Sequence, residues 1–248
     1  MLLINALVID MEWVSGFSNN STHGETFYLD DGQEMTATMM SKKVVSGKDM
    51  TFYESDDITA ITMDLKEYGE TQLEFMAVMP NENLSAFVEN VSKEQINEID
   101  KNLKYASEVE DGVILRIPKF KFSHELQLTV DLKNLGIFHA FDMDTADFSK
   151  MAESQDPEEN LFVSEALHKA DIEFTEKGVK AAAVTVIIMG AGATSVQRPT
   201  FPHIIVINKP FMFVIRDKKT KDIWFTGTVY EPNSWEKDSE SYSTSFGF

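Results

Sequence analysis

Apolar residues along this chain fall mostly into short runs bounded by turn residues, the pattern of strands, and only two stretches carry helical spacing. The opening run from Met1 to Ile9, closed by Asp10, reads as a buried strand. Within residues 27–35, Asp31-Gly32 lies between two candidate strands and predicts a hairpin. Further strands are expected at 58–65 and 73–79, with a turn at 67–70, and then at 161–175, 204–207, 211–216 and 223–230. The charged turn 217–222 makes the last two a hairpin. Ser92 and Gln95 form a capping box ahead of Ile96, Ile99 and Leu103, which predicts a short amphipathic helix. A second helix is expected over 128–135, closed by Gly136. With no internal repeat and no Pro/Gly/Ser linker, the expectation is one α+β domain over 1–232 and a polar, frayed tail over 233–248.

Composition narrows the function. The chain has 248 residues, 43% of them hydrophobic, enough for a large core. Its 41 acidic and 22 basic residues leave a formal net charge of −19, which disfavours phosphate backbones and anionic lipid, so neither nucleic acid nor a membrane surface is an expected partner. No apolar run reaches the length of a spanning helix, and the opening lacks the basic start of a signal peptide. The absence of cysteine excludes disulfides and thiol chemistry and leaves the compartment open. Sequons at Asn19, Asn20, Asn83 and Asn90 would suit a secreted protein.

The usual marks of catalysis are missing. Histidines at 23, 124, 139, 168 and 203 have no metal spacing, and Ser123-His-Glu-Leu-Gln127 lacks the second His of a zinc helix, so no metal and no cofactor is expected. Asp142-Met-Asp-Thr-Ala-Asp147 lacks the glycine and glutamate of a calcium loop and reads as a solvated acidic turn. Gly190-Ala-Gly-Ala193 has no Lys-Ser/Thr to make a phosphate loop, and there is no G-x-S-x-G elbow. One segment is unusual. From Gly178 the chain runs through Val179, Lys180 and Ala181-Ala182-Ala183 into β-branched residues, then into the flexible stretch 190–195. In extended form Val179, Ala181, Ala183, Thr185 and Ile187 share one face, with no charge and no proline among them. The plain reading is a buried strand followed by a loop. The other is a segment able to stand out as a loop or join a sheet as an added strand.

At this point the chain resembles the serpins, from Met1 to about Pro232. The residues that carry the likeness are Leu3-Ile-Asn-Ala6, Trp13, Phe17, Thr22, Phe27, Met39-Met40, Ile117-Pro-Lys-Phe120, Leu135-Gly-Ile137 and Ala146-Asp-Phe-Ser149. The most specific is His168 to Ala183, closed by Asn208-Lys-Pro-Phe211 and Phe225-Thr-Gly-Thr-Val229. The resemblance implies a large central sheet, two smaller sheets, a few helices and a reactive-centre loop that baits a serine protease, is cut, and inserts into the central sheet with the protease attached. About ten new backbone hydrogen bonds at ~0.5–1.5 kcal/mol each would supply on the order of 10 kcal/mol. The family's N-terminal helices have no counterpart in this sequence, so the expectation is an incomplete fold with an exposed apolar face. A non-inhibitory binding protein, or a truncated one that associates through its open sheet, is the alternative.

By the same resemblance Asn5 and His168 form a polar latch on the two strands that part for the loop. Lys119 and Glu176 pair at the top of the opening, where Trp13 also packs. Glu176, Gly178, Val179, Ala181, Ala182 and Ala183 form the hinge, with Lys177 where an acid is common and Val179 where Thr or Ser is common. Counting forward from Gly178 places the bait bond at Gly192-Ala193. Counting back from Pro210 points to Ser195–Arg198, and Thr194-Ser195 is the nearest competitor. Pro199 after Arg198 hinders cleavage by a trypsin-like enzyme, so an elastase-like target with a small specificity pocket is favoured. The implied location is extracellular, with an intracellular one left open because no signal peptide is visible.

Overall fold

The computed structural model describes residues 1–151, 160–179 and 201–232. The first strands are β1 (Leu2–Val8), β2 (Met11–Glu12), β3 (Thr22–Tyr28), β4 (Glu34–Val44), β5 (Met50–Glu54), β6 (Ile58–Asp64) and β7 (Leu73–Pro80). Helices α1 (Leu84–Asn90) and α2 (Lys93–Asn102) follow, then β8 (Lys104–Tyr105), β9 (Val113–Pro118), β10 (Phe120–Gln127) and α3 (Thr129–Asn134). The chain ends in β11 (Glu165–Phe174), β12 (Gly178–Val179), β13 (His203–Val206), β14 (Phe211–Asp217) and β15 (Ile223–Val229). Two compact units result: a smaller one of Met1–Asp10 with Lys121–Glu173, and a larger one of Met11–Phe120 with Phe174–Phe248.

The larger unit contains a four-stranded sheet in the order β13-β9-β4-β3 and a six-stranded sheet in the order β15-β14-β7-β6-β5-β8. All eight residues of β7 are buried, so its sequence reads as a continuous apolar run rather than an alternation. On one face, Met76 and Val78 pack with Ala60, Met212 and Val214 against Leu84 of α1 and Ile99 of α2. Phe75 stacks with Phe213 at 6.0 Å between ring centres. The charge in this strand, Glu74, is buried and accepts from Arg216 Nε at 2.7 Å and Lys221 Nζ at 2.6 Å, while Arg216 also binds Asp100 of α2. A buried ion survives in such a place only with its hydrogen bonds filled. The Ser92–Gln95 capping box forms and starts α2. Asn83, read from sequence as a sequon, caps α1 by accepting from the Ala86 amide at 3.2 Å.

In the smaller unit β1 runs parallel to β11, in a register that sets Leu2 opposite Glu165 and Asn5 opposite His168, and β10 pairs with β11 as well. Here one expectation needs correction. The opening segment is a strand, but Leu2, Leu3 and Ile4 are 48–58% exposed. Among the described residues β1 has a strand partner along one edge alone. The apolar run is enough to make a strand, but burial also requires something packed against it.

Candidate functional site

The site begins with a tight turn at the end of β11. The Thr175 amide donates to the Gly178 carbonyl at 3.0 Å and Thr175 Oγ1 donates to the same oxygen at 3.1 Å, which reverses the chain and lays Val179 antiparallel to Phe174. On its other side β12 pairs with β2, Gly178 opposite Glu12 and Val179 opposite Met11. Val179 is therefore flanked by strands on both sides and is 1% exposed. Gly178 lies so close to β2 that a Cβ there would sit 2.1 Å from the Met11 carbonyl oxygen.

Residues 13–17 form the other half of this seat. The Trp13 amide donates to the Lys177 carbonyl at 2.9 Å and the Phe17 amide to the Glu176 carbonyl at 2.8 Å. Gly16 presses on that same Glu176 oxygen, which a Cβ would approach to 2.7 Å. The Trp13 indole donates to the Thr175 carbonyl at 2.9 Å, and its ring meets Phe174 edge-on at 5.1 Å. Below, Phe174 packs on Phe75 at 4.6 Å and Phe120 at 4.8 Å.

Lys119 Nζ lies 3.0 Å from Glu176 Oε2, with both side chains about 10% exposed. Burial works to raise the Glu176 carboxyl, but its own backbone amide, Lys119 and Thr22 outweigh burial and hold it below the ordinary range. In the smaller unit Asn5 Nδ2 and His168 Nδ1 are 3.3 Å apart. The larger unit thus brings Trp13, Lys119, Glu176, Gly178 and Val179 together, and the smaller unit brings Asn5 and His168 together. Ala181, Ala182, Ala183, Gly192 and Ala193 lie outside the described residues, as do Thr185, Ile187, Arg198 and the tail over 233–248.

Sequence reasoning did not place Gly16, Ser15 or Lys42 at this seat. Lys42 Nζ donates to the Ser15 carbonyl at 2.8 Å and lies 5.1 Å from the centre of the Phe17 ring. A glycine between Trp13 and Phe17 was the available signal, but its close contact is with a residue 160 positions away in sequence.

The model of the family described as serpin (serine protease inhibitor) matches residues 1–232. The chain belongs to the serpin family. Its relatives include plasminogen activator inhibitor 1 of Sus scrofa, 30% identical over 241 residues, covering 94% of this chain and 54% of that protein. A serine protease inhibitor of Cyanea capillata is 31% identical over 233 residues, covering 93% and 57%. Among solved structures, the thermophilic serpin tengpin in its native state is 29% identical with a TM-score of 0.65, covering 92% of this chain and 55% of that one. Thyroxine-binding globulin in complex with thyroxine is 25% identical with a TM-score of 0.70, covering 93% and 56%. This serpin chain spans about half the length of the curated relatives it matches. Its fold is the serpin fold, with few helices and several sheets.

Proposed function

We propose that this chain carries the loop-insertion machinery of a serine protease inhibitor that acts by cleavage and insertion of its reactive-centre loop, without catalytic turnover and without a cofactor. The observation that carries the reading is the placement of Gly178 and Val179 as a short strand flanked on both sides. A residue already seated in this way is the natural first rung for the segment that follows. Burying Val179 contributes roughly 1.5–3 kcal/mol. In extended form Ala181, Ala183 and Thr185 would share the face of Val179, and they carry no charge that would resist following it. In this reading Lys119–Glu176 and Trp13 hold the top of the opening and Asn5–His168 latches the parting strands. Gly192-Ala193 is the bait bond, and the target is an extracellular elastase-like protease.

The test uses the full protein with elastase and with trypsin. Wild type should give a denaturant-resistant complex with elastase, releasing a C-terminal peptide that begins at Ala193. In Thr185→Arg a charge must enter the closing sheet, where desolvation costs several kcal/mol. That variant should be cleaved as a substrate with little complex. Undiminished complex in Thr185→Arg removes the insertion reading, and a released peptide beginning at Pro199 moves the bait bond to Arg198. A non-inhibitory binding role, favoured by the likeness to a thyroxine-binding globulin, would give no complex with any serine protease.

A further inference from the structure

The hinge seat depends on a segment with little regular structure. Trp13 and Phe17 donate their amides to Lys177 and Glu176, but between them Val14, Ser15 and Gly16 form no strand. From behind, the Val14 amide donates to the Asp64 carbonyl at 3.0 Å, and Lys42 reaches in from β4. Its ammonium accepts nothing and donates to the Ser15 carbonyl at 2.8 Å while lying 5.1 Å from the centre of the Phe17 ring. One side chain thus fixes both the middle of the span and the residue whose amide grips Glu176. Gly16, caught between, leaves no slack, since even a Cβ would collide with the Glu176 carbonyl.

We propose that Lys42 is a positioning residue for loop insertion: by pinning Ser15 and Phe17 it sets residues 13–17 in the shape that receives the hinge at Glu176–Val179. The proposal rests on the insertion reading for its functional meaning, but its geometry can be tested without a protease.

The surroundings of Lys42 give it a recognisable pH signature. Burial pulls its ammonium down to about 8 from 10.5, with Asp49 after β4 and Asp64 on β6 partly opposing this. Asp64 itself is paired with Lys218 and lies in the field of Glu74 on β7. The span 13–17 contributes no charged side chain, and the hinge contributes Glu176, paired with Lys119, and Lys177 beside it. Arg116 on β9 stands opposite Ser41, on the other face of β4 from Lys42, with Glu25. If a released span leaves Lys42 near 10.5 and the seated one holds it near 8, the seated form loses its proton first as pH rises. The seat then tightens between those two values and is insensitive to Lys42 below the lower one.

Hydrogen exchange at the Trp13 and Phe17 amides of the full protein, corrected for intrinsic rates between pH 6.5 and 9.5, reads the seat directly. In wild type, protection should be flat up to about pH 8 and rise several-fold above it. Lys42→Arg keeps the donor and stays charged, so protection should persist but remain flat. Lys42→Met leaves the Ser15 carbonyl without its donor and should lose about tenfold or more at every pH. Unchanged protection in Lys42→Met overturns the proposal. If Lys42→Met does not fold, Lys42→Gln, a shorter neutral side chain, should lose protection in the same direction, and protection equal to wild type overturns the proposal. Loss of protease trapping with this exchange pattern intact would sink the insertion reading and leave the role of Lys42 in the seat standing.

Discussion

Gly178 is where a single atom matters most. Its hydrogen faces the Met11 carbonyl and the Glu12 Cα, so the added methyl of Gly178→Ala, 2.1 Å from one and 2.7 Å from the other, must push backbone aside. Backbone yields less readily than a flexible side chain, and overpacking of this kind costs about 1–3 kcal/mol. Gly178→Ala should therefore weaken the pairing of β12 with β2, seen as faster hydrogen exchange at the Trp13 amide, which donates to the adjacent Lys177 carbonyl. Exchange equal to wild type would show that the strands can part without loss. Glu176 sets the acid limit of the same seat. Its carboxyl is held below the ordinary 4.5 in the folded chain, so it contributes stability that is complete above that value and is lost as pH falls through the lower folded one. Lys119→Met removes the partner charge and should move the onset of seat opening to higher pH. An unmoved onset would assign the acid sensitivity to other carboxylates. The identities Glu176, Lys119 and Trp13 could be named from sequence because they stand in recognisable motifs. Gly16 and Lys42 could not, because their importance comes from atoms contributed by distant parts of the chain.

At the scale of elements, local signals were read well where both halves of the signal are adjacent in sequence. Ser92 and Gln95 are three residues apart, and the reciprocal bonds form at 2.8 Å and 3.3 Å, starting α2 at Lys93. Ser92→Ala should cost about 1 kcal/mol, measured as a lower denaturation midpoint with an unchanged slope, and Ser92→Asp should recover most of it. No loss in Ser92→Ala would mean that packing of Ile99 against the sheet holds the helix without its cap. Helix α1 escaped notice because a seven-residue segment gives too short a period, and its Asn83 cap also satisfied a sequon. Strands β5, β9 and β10 were missed as strands for a different reason. The partners of β9 and β10, β4 and β11, lie far along the chain, and although β5 makes a tight hairpin with β6, a sheet stabilises mixed apolar and charged segments such as Val113–Pro118 that have no clear alternation of their own.

For the whole molecule, the exposed apolar surface of Leu2, Leu3 and Ile4, on a strand that among the described residues is paired along one edge alone, is a liability. The 248-residue chain alone should bind a hydrophobic dye and self-associate, with Ile4→Lys reducing both. A monodisperse monomer that excludes the dye and melts reversibly would contradict this. The family was legible in the sequence because its motifs are long, ordered and local, and the face of Val179, Ala181, Ala183, Thr185 and Ile187 could be read as uncharged from strand alternation alone. The absence of cysteine and the net charge of −19 likewise needed no structure to exclude disulfides and to disfavour polyanion partners. Only the tertiary structure decided that Val179 is held between Phe174 and Met11, that Lys42 reaches Ser15, and that Leu2, Leu3 and Ile4 of β1 stay exposed. The physical reason is range. Strand alternation, capping and motif order are carried by neighbouring residues, whereas a backbone contact of 2–3 Å or the cover over an apolar strand depends on which distant segments pack together.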